Sequence, residues 1–139
     1  MLEYVENTLP PTIEEYEEEV DKRLAIERAL QLAIEICIDV SNQIVKESRL
    51  GISGNDEGTL KKLRIAKIIS PKLFTQLNEM KKFRNVLVHH YTEIDDQKVF
   101  HHATHDLDDF RLFQKEILTY LKRPKTPPRT NKLKNKPKK

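Results

Sequence analysis

The chain has one cysteine, three glycines and no tryptophan in its 139 residues. A single thiol excludes a disulfide framework and a thiolate cluster for zinc. Cys37 itself lies among Ile36, Ile38 and Val40, the setting of a buried side chain rather than of a nucleophile. All three glycines fall within LGISGNDEG (50–58), so few tight turns can be built and a strand-rich architecture is disfavoured. That segment also lacks the lysine and the strand-to-helix setting of a phosphate loop, which leaves it as a connector. The sequence contains no uncharged apolar run near the length of a membrane span and no basic-then-apolar opening, so neither spanning nor export is supported and a reducing cytoplasm is expected.

Charge is scarce in one sign at each end. Residues 122–139 hold nine Lys/Arg and no Asp/Glu, whereas residues 3–21 hold eight acids and no base. The net charge of +3 therefore hides an acidic body, residues 1–121, followed by a basic tail. The tail, rich in lysine and proline and nearly free of apolar side chains, cannot offset the entropy of folding and reads as disordered; it can still attract phosphate without regard to sequence. One domain, 1–121, is expected ahead of it.

With 37% hydrophobic and 34% charged residues, the rest has the composition of a lean helical protein. Thr12 can cap a short acidic helix through IEEYEEEV. From Asp21 to about Arg49, Ile26, Leu30, Ala33, Cys37, Val40 and Ile44 recur at spacings of three and four, and further apolar residues widen the face into that of a helix buried on more than one side. A helix from Thr59 ends at Ser70, which in turn caps the next, with Pro71 at its first position. That helix runs through Leu73, Leu77, Met80 and Phe83 to Tyr91. Asp95 or Asp96 caps the last, which ends near Arg123-Pro124. The plan is an all-α, up-and-down bundle of four main helices plus a short N-terminal one.

The stretch FRNVLVHHY (83–91) stands out from this apolar patterning. On a helical wheel Arg84, Asn85, Val88, His89 and Tyr91 share one half, while Phe83, Val86, Leu87 and His90 share the half expected to face the core. A histidine titrating near neutrality can move a proton, and a permanently charged arginine steadies a phosphate; together they suggest cleavage of RNA phosphodiesters with the 2′-OH as nucleophile and no metal. Arg84 and His89 are about 140° apart on an ideal helix, so they reach one small target only in a cleft such as a symmetric dimer provides. On spacing alone a structural role is the commoner outcome: Arg84 would pair with an acid such as Glu35 or Asp39, and His89 would be a satisfied core histidine. His101, His105 and Asp109 also share a helix face, but one face rarely completes a tetrahedral metal set. A solvated face, with no metal and no cofactor, is expected there.

Arg84-Asn85 followed by His89-His90-Tyr91 resembles the R-x4-6-H motif of the HEPN superfamily, in the R-x4-H-x-Y form of HepT-like toxins. The helix RLAIERALQLAIEICIDVSNQIVKE is similar to the second helix of that family, and the likeness covers roughly residues 20–121. The resemblance implies a dimerising helical bundle that cleaves RNA without metal, with Arg84 as the phosphate-stabilising cation, His89 as the general acid/base and Asn85 in support. Glu35 or Asp39, with Asp39 preferred, would orient Arg84. It further implies that Tyr91 is the position where a partner minimal nucleotidyltransferase, the antitoxin, adds AMP and silences the toxin. The alternative is a non-catalytic HEPN protein that binds and regulates such a transferase. The acidic segment before residue 20 and the basic tail depart from the family pattern.

Overall fold

The computed structural model describes residues 2–51, 54–89 and 94–123, and the described residues form six helices. These are α1 (Leu2–Thr8), α2 (Ile13–Glu18), α3 (Val20–Glu47), α4 (Asp56–Ile65), α5 (Pro71–His89) and α6 (Asp96–Leu121). The all-α expectation and its four main helices hold, and none of the described helices is long and apolar enough to cross a membrane. The basic tail beyond residue 123 lies outside the described residues.

The central element is α3, which packs against all five other helices. Its wide apolar face makes this possible: Ile26, Ala29, Leu30, Ala33, Ile34, Cys37, Ile38, Ile44 and Val45 are all buried, more than one stripe of an amphipathic helix can hold. Ser41 is buried among them and satisfies its hydroxyl on the Cys37 carbonyl at 2.7 Å. The helix stops where Arg49 adopts a left-handed φ of 56° and Leu50 N donates back to the Val45 carbonyl at 3.1 Å. Gly51 follows at φ 100°, a conformation that a residue with a Cβ rarely adopts.

Three expected boundaries are corrected. The acidic opening holds a separate helix, α1, whose Val5 is buried while Leu9 beyond it packs on the core; two apolar residues one turn apart suffice because α3 and α6 supply the other walls. Second, α4 starts at Asp56 rather than Thr59. Asn55 Oδ1 accepts from Gly58 N at 2.8 Å, so Gly58 belongs to the helix and not to the connector. Thr59, buried, donates to Asn42 Oδ1 on α3 at 2.7 Å. Third, α4 ends at Ile65, short of Ser70, with Lys67 beyond it at a left-handed φ of 61°; α5 is described as far as His89, and its expected continuation to Tyr91 lies outside the described residues.

The other caps agree with the sequence. Thr12 accepts from Glu15 N, Ser70 Oγ from Leu73 N at 3.1 Å, and Asp95 from Gln97 N at 2.9 Å. The result is that α5 and α6 run side by side, with the start of α5 near the end of α6: Ser70 N donates to Glu116 at 2.7 Å. Phe83, near the other end of α5, stacks on His102 of α6 at 4.0 Å between ring centroids.

Candidate active site

The core stripe of α5 is Leu73, Leu77, Met80, Phe83 and Leu87. At about 100° per residue these side chains span about 120° of the helix. Arg84 falls within this span, about 20° inside its Leu77 edge, and His89 points about opposite its centre. Val86 is 37% exposed, a correction to its expected place among core residues. The buried stripe is narrower than half a wheel, because α6 covers only part of this end of the helix and leaves a groove lined by Val86, Phe83, Lys82, Lys98 and His102.

Arg84 is held on its α4 side. Its side chain is only 18% exposed, Nη2 lies 3.5 Å from Asp56 Oδ2, and Nε donates to Asn85 Oδ1 at 3.1 Å. Asn85 thus supports the arginine through its neighbouring side chain. The expected acid does not: Asp39 is exposed on α3 and makes no ion pair with Arg84 among the described residues, and Glu35 accepts instead from Gln31 at 3.1 Å. The reason is topological. Asp56 stands in the first turn of α4, and the edge of α5 that bears Arg84 faces α4. Asn55 followed by two acids is the sequence signal for that helix start, and reading the segment as a connector concealed it.

His89 is exposed at the last described residue of α5. Among the described residues no hydrogen bond or ion pair joins it to Arg84. Five residues of helix separate them by a rise of about 7.5 Å as well as by the turn of the wheel. One chain therefore presents a clamped guanidinium and a free imidazole on different sides of one helix end. His90 and Tyr91 lie outside the described residues.

Other titratable groups are engaged in ways the sequence left open. His102 Nδ1 is 2.8 Å from Asp106 Oδ2, and that carboxylate is buried. His101 and His105 stack on each other at 4.1 Å, and His105 Nδ1 lies 2.8 Å from the His101 carbonyl. Among the described residues no group of His, Cys, Asp and Glu is arranged to hold a metal ion. Cys37 is buried, and burial pushes its thiol up to about 12, so it stays protonated at neutral pH. At the α2–α3–α6 junction, Arg23 pairs with Asp96 at 2.6 Å. Glu27 nearby is raised above the ordinary carboxylate value by burial first and Asp96 second, against the pull of Arg23.

Comparison with known proteins agrees with the fold. Over 110 residues the chain is 29% identical to a tRNA nuclease HepT of Aphanizomenon flos-aquae (strain 2012/KM1/D3), covering 79% of this chain and 75% of that protein. Over 84 residues it is 34% identical to an mRNA nuclease HepT of Shewanella oneidensis, covering 60% of this chain and 63% of that one. A solved structure of the tri-AMPylated Shewanella oneidensis HEPN toxin in complex with MNT antitoxin superposes with a TM-score of 0.70 at 25% identity, over 85% of this chain and 93% of that one. The family model for ribonuclease HepT-like proteins matches residues 1–117. The chain belongs to the ribonuclease HepT-like family.

Proposed function

We propose that this protein is a metal-independent endoribonuclease, the toxin of a toxin–antitoxin pair, acting in the cytoplasm through Arg84 and His89 at a homodimer cleft. The observation that carries this reading is the coincidence of a family match over most of the chain with a half-buried arginine and an exposed histidine at one end of α5. The nuclease names of the relatives support RNA as the substrate.

The chemistry follows from the side chains. His89 in its neutral form takes the proton of a ribose 2′-OH as that oxygen attacks the adjacent phosphorus. The bond from phosphorus to the 5′ oxygen breaks, and that oxygen takes a proton from an imidazolium or from water. Arg84 offsets the added charge on the phosphoryl oxygens, and Asn85, hydrogen-bonded to Nε, keeps the guanidinium turned. DNA, which lacks the 2′-OH, is not a substrate. Because the two groups stand apart on one helix, a second copy of the chain supplies the missing member of each pair.

Regulation is assigned to Tyr91. A cognate nucleotidyltransferase antitoxin adds AMP to its hydroxyl, bringing bulk and phosphate charge beside the cleft and silencing the nuclease. The AMPylated HEPN toxin among the structural relatives supports this. A second reading, a non-catalytic partner of such a transferase, draws on the engagement of Arg84 with Asp56.

Incubation of purified protein with single-stranded RNA in EDTA separates the two. Cleavage is expected, with Arg84→Ala and His89→Ala each lowering kcat by at least about 100-fold while helicity is retained. Intact RNA together with binding of the transferase would establish the second reading instead. With transferase and ATP, wild type is expected to gain mass in steps of one AMP and Tyr91→Phe not to; equal labelling of the variant removes Tyr91 from the scheme.

A further inference from the structure

The end of the bundle farthest from the motif carries the opposite charge to the rest of the body. There, the turn after α4, the start of α5 and the end of α6 enclose an open groove of about 640 Å³. Its wall includes Arg64, Lys67, Lys115 and Arg123, all exposed. Among the described residues none of these four forms an ion pair. Residues 1–121 bring 22 acids against 16 bases, so four unpaired cations around one hollow are not the average composition of this surface. The one acid in the groove, Glu116, is occupied by the backbone N–H of Ser70.

The cations are also held in place. Arg64 lies over the Phe74 ring at 5.0 Å and Arg123 over the Tyr120 ring at 5.5 Å, contacts that fix a planar guanidinium without neutralising it. Arg123 also donates to the Lys67 carbonyl at 3.0 Å. Lys67 ends α4 in a left-handed conformation, φ 61°, where glycine is the ordinary choice. A lysine kept at that position places a charge on the rim at some conformational cost.

We propose that this groove binds the phosphate backbone of a structured RNA, as a second contact distinct from the cleavage site. Guanidinium groups held on aromatic rings, with ammonium groups beside them, suit phosphate oxygens, and the two arginine planes offer stacking surfaces to unpaired bases. Along α5 (Pro71–His89), Pro71 at the groove is separated by about 20 Å from Arg84 and by about 27 Å from His89. A substrate touching both must be long or folded; a trinucleotide, about 10 Å at about 3.4 Å per stacked nucleotide, reaches only one. From Arg123 the sequence continues into seven further Lys/Arg and no acid. The role of this groove in substrate choice rests on the nuclease reading above, and its binding of RNA does not.

The test uses the full chain, a tRNA-length transcript and a trinucleotide. In one variant Lys67→Gln is combined with Lys115→Gln, two side chains free of hydrogen bonds and ring contacts; in another all four cations become Gln. The control carries Lys22→Gln and Lys46→Gln, outside the groove. For the transcript, the slope of log affinity against log salt is expected to fall by about 0.7–0.9 per cation that contacts phosphate, and KM for its cleavage to rise with kcat unchanged. The control and trinucleotide cleavage are expected to match wild type. An unchanged slope, an equal fall in the control, or a change in self-association in place of RNA binding overturns the groove. Failure of wild type to cleave either RNA with transcript binding intact overturns the nuclease reading alone, and a wild type that binds neither RNA overturns both.

Discussion

The usefulness of Arg84 depends on where its charge is held, and the holder is Asp56. Asp56→Ala is expected to lower kcat roughly 10-fold to 100-fold by letting the guanidinium swing, while changing stability by less than about 1 kcal/mol. Asp56→Glu should recover part of the rate. A loss of rate matched by an equal loss of melting temperature would mean that the carboxylate acts on the fold alone. Glu27 carries a different expectation. Its carboxyl is raised above 4.5, mainly by burial, so between that value and its folded pKa the native state binds more protons than the unfolded chain, and stability falls as pH rises through this window. Glu27→Gln should therefore be more stable than wild type at about pH 7 and no more stable at about pH 4, measured by urea unfolding; equal stability at the higher pH contradicts the shift. Arg84 and His89 could be picked out in the sequence because their spacing is local. The acid beside Arg84 could not, since its identity depends on how α4 lies across α5.

At the scale of elements, periodicity located α3, α5 and α6 because each has a long apolar face, and caps marked the starts of α2 at Thr12, α5 at Ser70 and α6 at Asp95. Where the face was short the sequence was harder to read. Val5 and Leu9 of α1 are too few to set a period, and they count only because α3 and α6 already form a wall. For α4 the glycines misled: Gly58 sits inside the helix, where it weakens a propensity that packing restores. That packing is concentrated in Leu60 and Leu63, both almost wholly buried. Leu63→Ala should cost about 2–5 kcal/mol in chemical denaturation. Because α4 carries Asp56, a partial melting of α4 in this variant should reduce RNA cleavage before the global transition; activity that persists up to that transition would show that α4 and the site are uncoupled.

For the whole molecule, the separation of Arg84 and His89 makes assembly a requirement of the mechanism proposed above. If each cleft draws its arginine from one protomer and its histidine from the other, mixing Arg84→Ala with His89→Ala after unfolding and refolding should regenerate cleavage. About half of the refolded dimers would be mixed, each with one complete cleft, giving about a quarter of wild-type activity. Two inactive preparations that stay inactive when mixed, despite forming mixed dimers, would confine each site to one chain. The order in which the fold is built adds a constraint of its own. Since α3 is walled by all five other helices and α6 closes it with Val99, Ala103, Phe110, Phe113 and Ile117, the core remains open until α6 has been made. On the ribosome, Arg84 and His89 emerge ahead of that last wall. A nascent chain can thus hold both residues and still lack a rigid frame to aim them, so the mechanism proposed for Arg84 and His89 requires the chain to be inert until α6 is free to close the core.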